Sequence, residues 1–306
     1  MSTSGPGTPV LFVHGAWHGS WCWAEVLARV TGAGVRALAV DMAGHGLRGR
    51  RPAALTRRPF DAGLLATEPS PVASVGLDEA GELLISQIEQ LGTGDPVIVV
   101  AHSLGGVVLT RAAQLAPALV ARAVYLTAFM PASGIPAGAY TRMPEHEGGR
   151  ALACVVGDPA TVGALRLDVT CPDPGYRQKL RAAFYGDVDT AAADAAIALL
   201  TPDCPAGLGL GTTTLTARGW GSVPRTYVKC TQDMTIRPAL QQRFITDADA
   251  AFPANTTTVH TLDAAHSPFL SVPGQVADIV LKPGSALTVK TTVKGQTAVF
   301  HLTAPK

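Results

Sequence analysis

Six short apolar runs, separated by longer segments with helical periodicity, constrain the fold of this chain most strongly. The runs start at these positions: Pro9, Val35, Pro96, Arg122, Arg225 and Thr256. Continuous runs of Val, Ile and Leu are typical of parallel strands that helices cover on both faces. The alternation of strands and helices predicts an α/β fold built on a doubly wound, mostly parallel sheet. In such a sheet the helices join the parallel strands by right-handed crossovers.

Two segments interrupt this alternation. Residues 131–223 contain Ala-rich helical patches and no strong strand pattern, so we predict a helical cap inserted into a core of residues 1–130 and 224–282. Residues 46–76 are polar and rich in proline, which predicts an extended loop. That loop carries five arginines: Arg48, Arg50, Arg51, Arg57 and Arg58. A solvated charge run is the favoured interpretation, and a docking surface for an anionic substrate or an acyl carrier is the alternative.

The last residues, 283–306, alternate apolar and polar side chains around the sequence VKGQ. This pattern predicts a C-terminal β-hairpin extension after the last helix of the core. Nothing in the extension, His301 included, suggests chemistry.

Composition limits the classes of function. The chain has 306 residues, 47% of them hydrophobic, and a net charge of +1. This length allows one large domain with an insert, and the charge favours neither nucleic acid nor an acidic membrane as a partner. We expect no signal peptide, because the first residues lack a basic start and a long apolar stretch. Oligomeric state is left open, a homodimer included.

The five cysteines show no metal-binding spacing, and we expect neither a metal nor another cofactor. Reduced thiols in a cytoplasmic protein are the favoured interpretation, with a Cys171–Cys204 disulfide as the alternative.

The stretch VVAHSLGGVV places Ser103 between a predicted strand and a predicted helix. A nucleophilic serine in such a tight turn needs small neighbours, and the usual pattern is G-x-S-x-G. Here Ala101 stands at the first glycine position and Gly105 at the second. Ser103 is therefore a candidate nucleophile, although a serine in a strand–helix turn can also be inert.

A serine hydroxyl needs a base, and the base needs an acid to orient it. His266 follows the last predicted core strand and Asp233 follows the strand before it, so both are expected at the same sheet edge as Ser103. Asp263, three residues before His266, is the reserve acid.

A hydrolytic site also needs two N–H donors for the developing oxyanion. The loop HGAWHGSWCW follows the first strand, and we predict the backbone amides of Ala16 and Leu104 as these donors. Trp17, His18 and His102 are candidate pocket residues, although packing is the favoured role for His102.

These motifs resemble the α/β-hydrolase superfamily, and within it the group of plant methyl esterases and hydroxynitrile lyases with similar bacterial esterases. The resemblance rests on FVHGAWHGSWCW, VDMAGHG, VVAHSLGGVV, YLTAFMPAS, CTQDMTIRP and AAHSPFLSVP. It implies Ser103, Asp233 and His266 as the triad. The similar lyases carry threonine at the position of Gly15 and lysine at that of Ser267, which favours hydrolysis here.

We therefore predict a serine hydrolase that cleaves a small, hydrophobic carboxylic ester or lactone through an acyl-enzyme on Ser103. Two alternatives stay open. The same triad could serve a thioesterase, an acyltransferase or a cyclase of secondary metabolism, or the chain could be a non-catalytic ligand receptor on a hydrolase scaffold.

Overall fold

A computed structural model describes residues 7–282, 289–293 and 296–300. The strands up to residue 282 are β1 Val10–Val13, β2 Ala37–Val40, β3 Val97–His102, β4 Val120–Leu126, β5 Ala164–Arg166, β6 Asp203–Pro205, β7 Arg225–Cys230 and β8 Thr258–Leu262. Six of them form one sheet in the order β2-β1-β3-β4-β7-β8, and every neighbouring pair is parallel. The chain order reverses between β1 and β3, which is where open α/β sheets place their sites. The predicted doubly wound parallel sheet is confirmed.

The helices are α1 Ala24–Gly32, α2 Ala62–Thr67, α3 Leu77–Gly92, α4 Gly105–Leu115, α5 Ala137–Tyr140, α6 Pro159–Val162, α7 Pro174–Phe184, α8 Thr190–Ala198, α9 Ala206–Leu210, α10 Pro238–Ala251, α11 Pro268–Ser271 and α12 Pro273–Leu281. The helix predicted after Ser103 is present as α4, and the segments with helical periodicity between the strands include α3 and α10. Asp78 and Glu79 lie in the first turn of α3, where negative charge is favourable.

The sheet is covered on both faces, as its apolar strands require. Val10 and Phe12 of β1 pack into an apolar cluster with α1 and α12. Leu11 and Val13 point the other way, into a larger cluster with α3, α4 and α10, because successive side chains of a strand alternate between faces.

The inserted residues 131–223 contain α5 to α9 and also a small sheet that the sequence did not predict. β5 and β6 pair antiparallel, with Leu165 opposite Cys204. Each strand has only three residues, which is too short to give a periodic signal in the sequence. The insert is mostly helical, as predicted, and the small sheet is a feature that the sequence did not indicate.

The arginine-rich segment is also more structured than the predicted extended loop. It contains short 3-10 helices at Gly46–Arg48 and Ala53–Leu55, followed by α2. The Glu68 carboxylate accepts hydrogen bonds from the backbone N–H groups of Ala53 and Ala54, and Asp61 caps α2. The side chains of all five arginines are exposed.

Beyond residue 282, strands β9 Val289–Val293 and β10 Gln296–Phe300 pair antiparallel, as the predicted hairpin requires. The rest of the predicted extension, including His301, lies outside the described residues, as do residues 1–6. All five cysteines are free, so the alternative Cys171–Cys204 disulfide was wrong. Among the helices described, none has the length and apolar character needed to cross a membrane.

Candidate active site

Ser103 lies in the turn between β3 and α4 and has a φ of 52°, in the left-handed region that few residues other than glycine adopt. Close packing holds this turn. A Cβ at Gly105 would lie 2.4 Å from the carbonyl oxygen of His14, and a Cβ at Gly15 would lie 2.6 Å from the Cβ of Ser103. The chain therefore needs glycine at both positions to bring the end of β1 against the serine turn.

The structure brings Ser103, His266 and Asp233 together. Nε2 of His266 lies 3.1 Å from Oγ of Ser103, and Nδ1 lies 2.7 Å from Oδ2 of Asp233. All three residues are buried. With Nδ1–H donating to the carboxylate, Nε2 is left as the acceptor of the serine proton, which is the geometry of a nucleophile, a base and an orienting acid.

Each oxygen of the Asp233 carboxylate accepts two hydrogen bonds. Oδ1 accepts from the backbone N–H groups of Thr235 and Ile236 at 2.6 and 2.9 Å. Oδ2 accepts from His266 and from the hydroxyl of Thr127. Four donors stabilise the ionised form of a buried carboxylate. The sequence did not identify Thr127 as part of the site. Thr127 directly follows β4 and therefore lies at the same edge of the sheet as Ser103.

The reserve acid, Asp263, lies elsewhere. Its side chain is exposed, and its carboxylate accepts hydrogen bonds from Thr231 and Gln232, which lower its pKa. The described structure therefore pairs His266 with Asp233 and not with Asp263.

The predicted oxyanion donors border the same cavity as Ser103. Ala16 and Leu104 both line it. Within the described part of the chain, neither backbone N–H has a hydrogen-bond acceptor. Two such amides beside a nucleophile are what an oxyanion hole requires.

Trp17 connects this loop to the inserted segment. Its φ is 62°, its indole N–H donates to the carbonyl of Leu165 in β5 at 2.7 Å, and its own carbonyl accepts from the N–H of Thr201. Trp17 also borders the cavity, where the sequence predicted a pocket residue. Its contact with a substrate stays a prediction.

His18 and His102 do not border this cavity. His18 was expected in the pocket, whereas the favoured role of His102, packing and hydrogen bonding near the site, agrees with its position. The Nε2 atom of His102 donates a hydrogen bond to the backbone carbonyl of His266 at 2.7 Å. His102 therefore stabilises the backbone position of the base. His18 lies 3.0 Å from the hydroxyl of Tyr185. Burial lowers the pKa of His18 to about 4 and that of His102 well below its ordinary value, so both are neutral near pH 7.

The cavity beside Ser103 has a volume of about 90 Å³ and a mostly apolar wall. Its remaining wall residues include Phe129, Ala137, Leu165 and His146. His146 lies in the inserted segment and is not among the pocket residues that the sequence predicted. In the described residues, His, Cys, Asp and Glu side chains form no cluster of three that could bind a metal.

Comparison with known proteins identifies the family to which this fold and site belong. A model described as the alpha/beta hydrolase family matches residues 10–279, and the chain is a member of that family. It is 30% identical over 288 residues to methylesterase 18 of Arabidopsis thaliana, covering 91% of this chain and 97% of the relative. It is 26% identical over 284 residues to methylesterase 9 of the same plant, covering 89% and 96%.

Among solved structures, a pyrethroid hydrolase from Sphingobium faniae JZ-2 superposes with a TM-score of 0.67 at 22% identity, covering 90% of this chain and 96% of that one. This likeness concerns the fold. The predicted resemblance to the α/β-hydrolase superfamily and its plant methyl esterases is confirmed, and the relatives support ester hydrolysis.

Proposed function

We propose that this protein hydrolyses a carboxylic ester or lactone of a small, hydrophobic molecule through an acyl-enzyme on Ser103. The observation that carries the proposal is the buried contact series from Ser103 Oγ to His266 and on to Asp233. Its occurrence in a chain related to methylesterases supports ester chemistry.

In the first step, Ser103 Oγ forms a bond to the ester carbonyl carbon while its proton passes to Nε2 of His266. The carbonyl electron pair moves onto oxygen, where the N–H groups of Ala16 and Leu104 stabilise the negative charge. The bond to the alcohol then breaks, and the alcohol oxygen takes the proton from Nε2. The acyl group stays on Ser103.

In the second step, a water molecule attacks the acyl carbon and gives a proton to Nε2 of His266. The bond to Oγ breaks, the proton returns to Ser103, and the carboxylic acid leaves. Asp233 stays ionised in both steps and stabilises the imidazolium that forms twice.

The test compares variants of the triad with a matched control outside it. We expect Ser103→Ala and His266→Gln to lower kcat for short p-nitrophenyl esters by about three orders of magnitude or more. Asp233→Asn should lose about as much, because it favours the wrong tautomer of His266. Asp263→Asn should retain wild-type activity, because that carboxylate is exposed and does not contact His266. Equal activity of Ser103→Ala and the wild type would refute the proposal.

Labelling with a fluorophosphonate separates the alternatives. A receptor on a hydrolase scaffold would leave Ser103 unlabelled. An acyltransferase or cyclase would label but would transfer the acyl group to an added or internal nucleophile faster than to water. A hydrolase should label at Ser103 and release free acid.

A further inference from the structure

His146 is a buried polar side chain that the proposed chemistry does not use. It ends a short 3-10 helix, Pro144–His146, in the inserted segment, and only 8% of its surface is exposed. In the described structure neither ring nitrogen has a hydrogen-bond partner, and Nδ1 is fully enclosed. Nε2 is also unpaired but keeps accessible surface, so it is the ring nitrogen that a molecule in the adjoining space can reach. Buried polar groups in proteins are normally paired, so Nε2 is open to a hydrogen-bond partner from that space.

The position of the ring is well defined. A Cβ at Gly149 would lie 2.3 Å from Nε2 of His146, so the chain packs tightly against the imidazole. Burial lowers the pKa of His146, with the Asp233 charge opposing this effect and Arg237 adding to it. A neutral imidazole has one donor and one acceptor nitrogen and can bind a neutral polar group.

His146 also lies in the walls of two different cavities. It borders the cavity beside Ser103, and it borders an open groove of about 530 Å³ on the surface of the insert. Thr141 and Leu152 are the other residues common to both walls. The inner cavity, at about 90 Å³, is far below the usual size of a ligand site. A substrate larger than a few atoms therefore needs more space than the inner cavity gives, and the groove on the other side of these three shared residues is the adjoining space.

The residues that line the inner cavity indicate which half of an ester, acyl or alcohol, binds in it. The inner cavity is bordered by Ser103, Ala16 and Leu104, but His266 is absent from its wall. The departing alcohol must receive its proton from Nε2 of His266, so its oxygen has to lie on the His266 side of Ser103. The inner cavity and the groove are thus left for the acyl half.

We propose that His146 determines specificity for esters whose acyl chain carries a neutral hydrogen-bonding oxygen, such as a ketone, several bonds from the scissile carbonyl. The inference rests on the proposed ester hydrolysis. The acyl chain runs from Ser103 between apolar walls to His146, where its oxygen accepts a hydrogen bond from the imidazole. An acyl chain without that oxygen leaves the imidazole unpaired, and sites with buried polar groups reject such analogues.

The test uses paired substrates that differ in one oxygen. The p-nitrophenyl esters of 4-oxopentanoate and 5-oxohexanoate are compared with those of pentanoate and hexanoate, each corrected for its rate with hydroxide. For the wild type we expect kcat/KM to favour at least one oxo ester over its partner by threefold or more. In His146→Phe the ratio should fall to about one, while His146→Gln, which keeps a donor, should retain a preference.

A ratio of two substrates does not depend on the concentration of active enzyme, so partial misfolding of a variant does not change it. A wild-type preference below threefold for both oxo esters, or an unchanged preference in His146→Phe, would overturn the inference. Cleavage of none of the four esters by the wild type would instead overturn the proposed function.

Discussion

The conformation of Ser103 is maintained by residues that have no chemical role themselves. Its left-handed φ of 52° is unfavourable for a side chain with a Cβ. Gly106 lets α4 approach the following loop, since a Cβ there would lie 2.1 Å from the carbonyl oxygen of Phe129. The serine is therefore held by backbone contacts on both sides of the turn.

Thr127 gives a prediction at the same scale. Its hydroxyl donates to the Asp233 oxygen that also accepts from His266, so it positions the acid without touching substrate. We expect Thr127→Val to lower kcat/KM about tenfold, because the carboxylate loses one of its four donors. With less of its charge compensated, the carboxylate should stabilise the imidazolium more strongly, so the acid limb of the pH profile of kcat/KM should move to higher pH.

Thr127→Ser is the matched control, because it keeps the hydroxyl and removes only a methyl group. It should restore most of the rate and the original pH profile. If Thr127→Val lowered the rate with no change in the pH profile, Thr127 would have only a packing role.

Among the elements, β5 and β6 are the ones that the sequence did not predict, and a buried ion pair lies between them. The guanidinium of Arg166 donates to both carboxylate oxygens of Asp203 at 2.7 and 2.8 Å, and both side chains are fully buried. A third nitrogen, Nη1, donates to the carbonyls of Leu65 and Glu68. The ion pair therefore joins β5 to β6, and the Nη1 hydrogen bonds of Arg166 join the small sheet to the arginine-rich segment.

Removing one member of that ion pair should lower the free energy of unfolding more than replacing both members with apolar residues. We expect Asp203→Asn to lower the free energy of unfolding by about 3–5 kcal/mol, because it leaves a buried charge uncompensated. The double variant Arg166→Met/Asp203→Leu should lose less than Asp203→Asn. Urea-induced unfolding measures both values.

An exposed ion pair provides the control. Asp278 lies 3.9 Å from Lys282 on the surface, and Asp278→Asn should change the free energy of unfolding by less than about 1 kcal/mol. A loss of the same small size in Asp203→Asn would show that the buried pair does not hold the small sheet.

At the scale of the whole molecule, buried histidines make the free energy of unfolding depend on pH. Burial lowers the pKa of His14 to about 3 and those of His18 and His45 to about 4. In the unfolded chain these groups titrate at a pKa of about 6.5. Between pH 6.5 and 4 the unfolded state thus binds more protons than the folded state, so stability falls as the pH falls.

We expect the free energy of unfolding to decrease from pH 7 to pH 5 by about 1–2 kcal/mol for each of these histidines. Urea titrations at the two pH values measure the change. His18→Gln should make the dependence shallower by the share of one histidine. Equal stability of the wild type at both pH values would contradict the prediction.

The sequence by itself determined the order of the main strands and helices and the chain order of Ser103, Asp233 and His266. It could do so because hydrophobic periodicity is a local signal, and because parallel strands all present their carboxyl ends at one edge of the sheet. The residues that follow β3, β7 and β8 are therefore neighbours in any such fold.

Only the tertiary structure decided what surrounds those three residues. Thr127 supports Asp233, His146 borders the cavity while His18 and His102 do not, and β5 pairs with β6. Each of these features brings together residues far apart in the chain through a side-chain hydrogen bond, side-chain packing or a buried ion pair. Such contacts leave no periodic pattern, so the sequence carries no local signal from which to predict them.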